Sequence, residues 1–308
     1  MMKILVLGAG AVGGYFGGRM AEAGADVSFF VRERRAGQLA KDGLVVKSAF
    51  GDIQMPVKTY TDGQVDQVFD VVVLTNKSYD LDSSMDAIAP AVGPNSAVLP
   101  LLNGLAHYDA LDARFGAERV IGGLCHLAAT LTGEGEIHHL NQLHSVTVGE
   151  RGGETSPRCQ SIADLLAKTP VHVRLSPDIA QDGWEKLVLL STLASATCLM
   201  RASVGDIMAT DEGETIVLEL LDECIALAEA AGHRPSPKAI ETAQKLLTER
   251  GSAFTASMLR DIENGGLIEG DHILGYMVAS GSEAGVQTPG LRIAKCHLQA
   301  YEQRRART

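Results

Sequence analysis

Glycines occupy positions 8, 10 and 13 of Gly8-Ala9-Gly10-Ala11-Val12-Gly13, after the apolar run from Lys3 to Leu7 and before a helical pattern. This spacing suits anion binding by the main chain. Gly8 permits a tight turn, Gly10 lets the backbone approach a pyrophosphate, and Gly13 lets the helix pack on its strand. The positive end of the helix dipole then faces the anion. A glycine-rich turn without a ligand is the alternative, and the strand before and helix after weigh against it.

The end of the second strand bears on which dinucleotide is held. NAD-selective sites carry an acid there, which accepts from the ribose 2′-hydroxyl. Here the run is Val31-Arg32-Glu33-Arg34-Arg35. A guanidinium at Arg32 suits the 2′-phosphate of NADP(H) in a bidentate grip. The alternatives are a solvated basic helix start, or NAD through Glu33. Lys77, just past the third apolar strand, offers a second positive contact at the carboxyl edge of the sheet.

Reduction at a nicotinamide asks the protein for a proton donor and a dry, positioned carbonyl. Lys186 stands in Gly183-Trp184-Glu185-Lys186-Leu187-Val188-Leu189-Leu190, a largely apolar helix opening. Desolvation there would lower its pKa and let it protonate a developing alkoxide; on pattern alone, a snorkelling surface lysine is the better reading. Glu269 follows Gly265-Gly266 at a helix start, where an acid is common for dipole reasons alone. Asn103 ends a strand beside Gly104, as turn residues do, and also lies at the edge where a nicotinamide would fall. Ser257 either contacts a substrate carboxylate or caps a helix. No metal site is expected: His138 and His139 point to opposite faces of a strand, and His126 and His144 lack ligand spacing.

The elements that must position these residues fall into two halves. Strands are expected at Lys3 to Leu7, Val27 to Val31, Val68 to Thr75 and Ala97 to Leu102, separated by helices. This alternation implies a parallel sheet covered on both faces. Short antiparallel pieces at Glu136 to His139 and Ser145 to Val148 are expected to finish that sheet. Beyond Leu175 helices take over. One carries Ile216, Val217, Leu220, Leu221, Cys224 and Ile225 and closes at Gly232. Another starts at Ser236-Pro237 and stops at Gly251. A third holds Ser257 to Ile262, and a fourth runs from Ile268 to Ala284. The fold class is therefore α/β: a Rossmann domain over residues 1–174, then an all-helical domain over 175–308.

A chain of 308 residues suits two domains, and 45% hydrophobic with 21% charged residues is ordinary for a globular protein. A net charge of −11 argues against broad contact with nucleic acid or an anionic membrane surface. The five scattered cysteines form no C-x-x-C pair, as expected of reduced thiols in the cytoplasm. No signal peptide or membrane span is expected. The apolar helices of the second half would suit a homodimer as well as an internal core.

Taken in order, these segments resemble the ketopantoate reductase family (2-dehydropantoate 2-reductase) over nearly the whole chain. The resemblance is carried by the opening Lys3 to Gly14, Arg32, Asn76-Lys77-Ser78-Tyr79-Asp80, Leu102-Asn103-Gly104 and Trp184-Glu185-Lys186-Leu187. It continues through Ser257 to Ile262, Glu269 to Gly275 and Gly285-Val286-x-Thr288-Pro289. It implies NADPH-dependent reduction of ketopantoate to D-pantoate, on the route to pantothenate and coenzyme A. It makes Lys186 the general acid and places Glu269 at substrate, cofactor and lysine. Asn103 falls by the nicotinamide and ribose, Ser257 by the substrate carboxylate, and Arg32 and Lys77 at the phosphate and ribose of NADP.

Three positions depart from the family pattern. Asparagines common one and two turns after the lysine are Leu190 and Ala194, and a third, before the serine, is Phe254. Apolar groups in place of amides favour a less polar 2-oxo acid. A non-catalytic NADP-binding redox sensor is a third reading, which would need neither Lys186 nor Glu269.

Overall fold

The computed structural model describes residues 2–307 as two compact units. The first comprises the chain up to Leu102 together with His107–Ile179; the second comprises Asn103–Ala106 and the chain from Ala180 onward.

In chain order, the first unit contains β1 (Lys3–Leu7), α1 (Ala11–Glu22), β2 (Asp26–Phe30), α2 (Glu33–Asp42), β3 (Leu44–Lys47), β4 (Ile53–Met55), β5 (Lys58–Tyr60) and β6 (Phe69–Leu74). It continues with α3 (Leu81–Ile88), β7 (Val92–Pro100), α4 (His107–Phe115), β8 (Gly122–Leu131), β9 (Glu136–Gly149), α5 (Pro157–Leu166) and β10 (His172–Leu175). Five strands form a parallel sheet in the order β5-β2-β1-β6-β7. Side chains alternate between its faces with period two. Ile4 and Val6 join one apolar cluster with Phe29, Val71 and Val73, whereas Leu5 and Leu7 join another with Phe30, Val72 and Leu74. Burial on both faces is why these strands read as unbroken apolar runs. Strand order reverses at β1 and β6, and open α/β sheets bind ligands at the carboxyl ends of such strands.

The antiparallel pieces do not finish this sheet. They form one 14-residue strand, β9, in a second sheet ordered β10-β9-β3-β4, with β8 paired antiparallel to β9. Exposed polar Asn141 and Gln142 suggest a break between two strands, yet the backbone continues through them, with a register shift opposite Leu127 and Ala129. Another correction concerns β7, which begins at Val92 and ends at Pro100, so Leu101 and Leu102 lie past it and Asn103 does not end the strand.

The second unit is helical: α6 (Ile179–Met200, its first residue grouped with the first unit), α7 (Val204–Ile207), α8 (Gly213–Ala230), α9 (Pro237–Leu247), α10 (Ser257–Glu263), α11 (Tyr276–Ala284) and α12 (Pro289–Arg305). From Ser191 to Cys198 every residue of α6 is buried, as expected of a helix enclosed by others. Two of its buried hydroxyls, Thr192 and Thr197, donate to the carbonyls of Val188 and Leu193, which satisfies them without a polar surface. Ser236 caps α9 by accepting from the Ala239 N–H, with Pro237 following it. The helix stops at Leu247, short of Gly251, which instead serves the next turn at φ +73°. The segment expected as one helix from Ile268 begins with a π turn at Asp271–Gly275, then continues as α11 to the left-handed Gly285. Among the described residues no helix is long and apolar enough to cross a membrane, and no cluster of three or more His, Cys, Asp or Glu side chains could hold a metal ion.

Candidate functional site

The glycine-rich loop lies between β1 and α1. Gly8 has φ +96°, and its N–H donates to the Phe30 carbonyl at the end of β2 (2.8 Å). A Cβ at Gly13 would fall 2.1 Å from the Gly8 carbonyl oxygen and 2.2 Å from Thr75 Oγ1, so only glycine fits there. Thr75 follows β6 and donates to the Leu7 carbonyl at 2.7 Å, fixing the loop to the neighbouring strand. Gly10 has open space where a side chain would stand. Among the described residues no side chain caps α1, and its first turn holds no acid. These amides are therefore free to face an anion, and the loop fits a dinucleotide pyrophosphate.

Ala9 is buried, and Ala11 and Val12 form the first turn of α1. Arg32 lies two residues past β2, at the N-cap of α2, with its side chain 81% exposed and paired with Asp80 at 2.9 Å. Asp80 closes a short turn whose amide donates to the Lys77 carbonyl (3.0 Å). Arg32 and the backbone of half-buried Lys77 are thus brought together through Asp80. Two residues escaped the reading of the sequence here: Thr75, whose hydroxyl locks the loop, and Arg35, which donates to the Ala9 carbonyl at 2.9 Å. Nothing in local spacing marks Thr75, whereas Arg35 was visible only as one of three arginines.

In the second unit, Lys186 stands two turns into α6 rather than at its opening, between buried Trp184 and Leu187. Its Nζ donates to Asn103 Oδ1 at 3.2 Å, a pairing across 83 positions of sequence. Glu185 anchors the start of α6 by accepting from the Ser236 N–H at 2.9 Å. Gly104 turns the chain after Asn103 at φ +85°, and a Cβ on it would meet His272 Cδ2 at 2.9 Å. The His272 ring also hydrogen-bonds the Asn103 backbone. Burial lowers the His272 pKa, partly opposed by Glu269 and by that hydrogen bond, so the ring favours its neutral form at neutral pH.

Glu269 is only 7% exposed. The segment before it is pinned at both ends: the Ile268 N–H donates to Glu302 at 2.9 Å, and the Tyr301 hydroxyl donates to the Gly266 carbonyl at 2.7 Å. A Cβ at Gly270 would come 3.1 Å from the Leu298 side chain, a tight contact that only a few tenths of an ångström of movement would relieve. Asn103, Lys186, Glu269 and His272 thus form one polar group. His272 was overlooked in the sequence, although it stands one helical turn after Glu269.

The remaining residues behave differently. Ser257 is exposed and is not the cap of α10; that position belongs to Ala256, whose N–H donates to Thr197 Oγ1. Ala194 is 2% exposed within the apolar core, and Phe254 packs against that core. Leu190 is half-buried one turn after Lys186.

Family models divide the chain at a similar place. The model for ketopantoate reductase PanE/ApbA matches residues 4–153, and that for its C-terminal part matches 178–302. The chain belongs to the ketopantoate reductase family. The family is an oxidoreductase family, and this member is 36% identical to an uncharacterized oxidoreductase, YkpB, from Bacillus subtilis, over 98% of this chain and 99% of that one. A solved 2-dehydropantoate 2-reductase from Geobacter metallireducens superposes with a TM-score of 0.90 at 29% identity, covering 97% and 99% of the two chains. D-mandelate dehydrogenase, solved with NADH and anilino(oxo)acetate, shares the fold at a TM-score of 0.89 and 22% identity, covering 99% and 100%.

Proposed function

We propose that this ketopantoate reductase family member is an NADPH-dependent 2-dehydropantoate 2-reductase, with residues 1–174 as the nucleotide domain and 175–308 as the substrate domain. The observation that carries the reading is the Lys186 amine, set in an apolar stretch of α6 and aimed by Asn103 Oδ1 at 3.2 Å. A dihydronicotinamide bound at the glycine-rich loop would supply the hydride for the keto carbon. Lys186 supplies the proton to the keto oxygen, so that the C=O becomes CH–OH. Asn103 holds the amine in place, and buried Glu269, beside His272, offers an acceptor to substrate hydroxyl or ribose. Ser257, exposed in the first turn of α10, is assigned to the substrate carboxylate. Arg32 and Lys77 are assigned to the 2′-phosphate and ribose. Asp80, now paired with Arg32, must then share that guanidinium with the phosphate.

A second reading keeps the chemistry and changes the substrate to a branched or aromatic 2-oxo acid. Half-buried Leu190, one turn from the amine, favours it, because it presents methyl groups where an amide would engage a hydroxyl. NADPH oxidation, followed by absorbance with ketopantoate beside branched and aromatic 2-oxo acids, separates the two. The first reading expects the highest kcat/KM with ketopantoate; a clear preference for an apolar 2-oxo acid would replace it with the second.

A further inference from the structure

Arg35 stands in the first turn of α2 and is half-buried. Its Nε donates to the Ala9 carbonyl at 2.9 Å, and its Nη1 donates to the Gly135 carbonyl at 2.8 Å and to Gln38 Oε1 at 3.3 Å. Gln38 in turn donates to the Gly133 carbonyl at 3.2 Å. Gly133 and Gly135 belong to the turn joining β8 and β9, closed by the Thr132 N–H on the Glu136 carbonyl. A side chain at Gly135, which has φ +94°, would meet Arg35 Nη1 at 2.7 Å. One guanidinium therefore ties the phosphate loop to the hairpin turn.

Two features make this more than a structural tie. Among the described residues, every hydrogen-bond partner of Arg35 is an uncharged oxygen, and its buried Nη2 has none. Burial lowers its pKa, but a guanidinium stays protonated in proteins, so a partly desolvated positive charge remains beside the loop. Secondly, the Ala9–Gly10 peptide is trans and planar, and its N–H points opposite its C=O. A donor holding the Ala9 carbonyl on one side therefore turns the Gly10 N–H to the other.

We propose that Arg35 is a positioning residue for the cofactor: it orients the Gly10 amide toward the pyrophosphate and supplies the positive charge which that anion balances. The proposal rests on the dinucleotide reading above, and it gives Arg32 and Arg35 separate tasks. Arg32 discriminates the 2′-phosphate, whereas Arg35 serves the pyrophosphate common to both nicotinamide dinucleotides.

The test is titration calorimetry of the full-length protein with NADPH and with NADH, using wild type, Arg35→Met and Arg35→Lys. Arg35→Met should weaken both dinucleotides by the same factor, about tenfold or more, the size expected for a charge-assisted contact. Arg35→Lys, which restores the charge but not the fork, should recover part of that loss for both. Thermal unfolding without nucleotide measures the structural tie separately. A lowered midpoint with unchanged affinities would overturn the proposal, as would a loss confined to NADPH. If wild type binds neither dinucleotide, the cofactor reading itself fails and takes this inference with it; unchanged affinity in Arg35→Met alone rejects only the role of Arg35.

Discussion

The glycine-rich loop of the first unit and the amine cluster of the second are built on different plans. The loop works through main chain: three glycines, two of them with steric demands that no other residue meets, and a helix end free of capping side chains. The cluster works through side chains from distant stretches, joined by contacts such as the one between Asn103 and Lys186 across 83 positions. A main-chain site is written in consecutive residues, so one substitution disrupts its shape. A side-chain site is assembled by packing, so its members can be exchanged to change chemistry or substrate while the frame persists. Leu190, half-buried one turn after Lys186, is a position where such an exchange would act.

If this contrast holds, the largest binding effect should come from the main-chain site. Gly13→Ala places a methyl 2.1 Å from the Gly8 carbonyl oxygen, and neither that oxygen nor Thr75 can yield without moving the loop. Overpacking of this severity costs roughly 1–3 kcal/mol or more. NADPH affinity should therefore fall by roughly a hundredfold at its upper end. Affinity within a factor of two of wild type, by calorimetry, would show that the loop is not the binding element.

Arg32→Ala tests a side-chain contribution at the same end of the cofactor. It should weaken NADPH by about tenfold and leave NADH nearly unchanged. Equal loss for both dinucleotides would remove the phosphate assignment and with it the preference for NADP.

The smallest expected effect is on stability. His144 is buried, accepts or donates at Tyr15 Oη (2.9 Å) and stacks on Phe50 at 3.7 Å. Its pKa is lowered to about 4, first by burial and then by His139, His172 and Arg19. The sign follows from linkage: the unfolded chain binds this proton more readily. The stability is full above the unfolded pKa near 6.5 and is lost as pH falls toward about 4. The melting midpoint of wild type should therefore drop by a few degrees across that window, and His144→Gln should flatten the slope. Parallel slopes for the two proteins would contradict this.

The legibility of the two sites follows the same contrast. The apolar runs of β1, β2 and β6, the glycine spacing and the Ser236-Pro237 helix start could all be read directly, because each depends on neighbours in sequence. The second sheet could not, since β9 pairs with β3, β8 and β10 and its exposed middle resembles a loop. Lys186 gained its meaning only from the resemblance, because its partner Asn103 lies far away in sequence. His272 was missed because its role comes from packing on Gly104, and Arg35 because a carbonyl partner leaves no trace in sequence.

The most direct test of the central claim is steady-state reduction of a 2-oxo acid by Lys186→Ala beside NADPH binding by the same protein. Both kcat and kcat/KM should fall by similar factors, of order 10² to 10⁴, while NADPH affinity stays at the wild-type value. Retained turnover, or a change confined to KM, would show that Lys186 is not the proton donor.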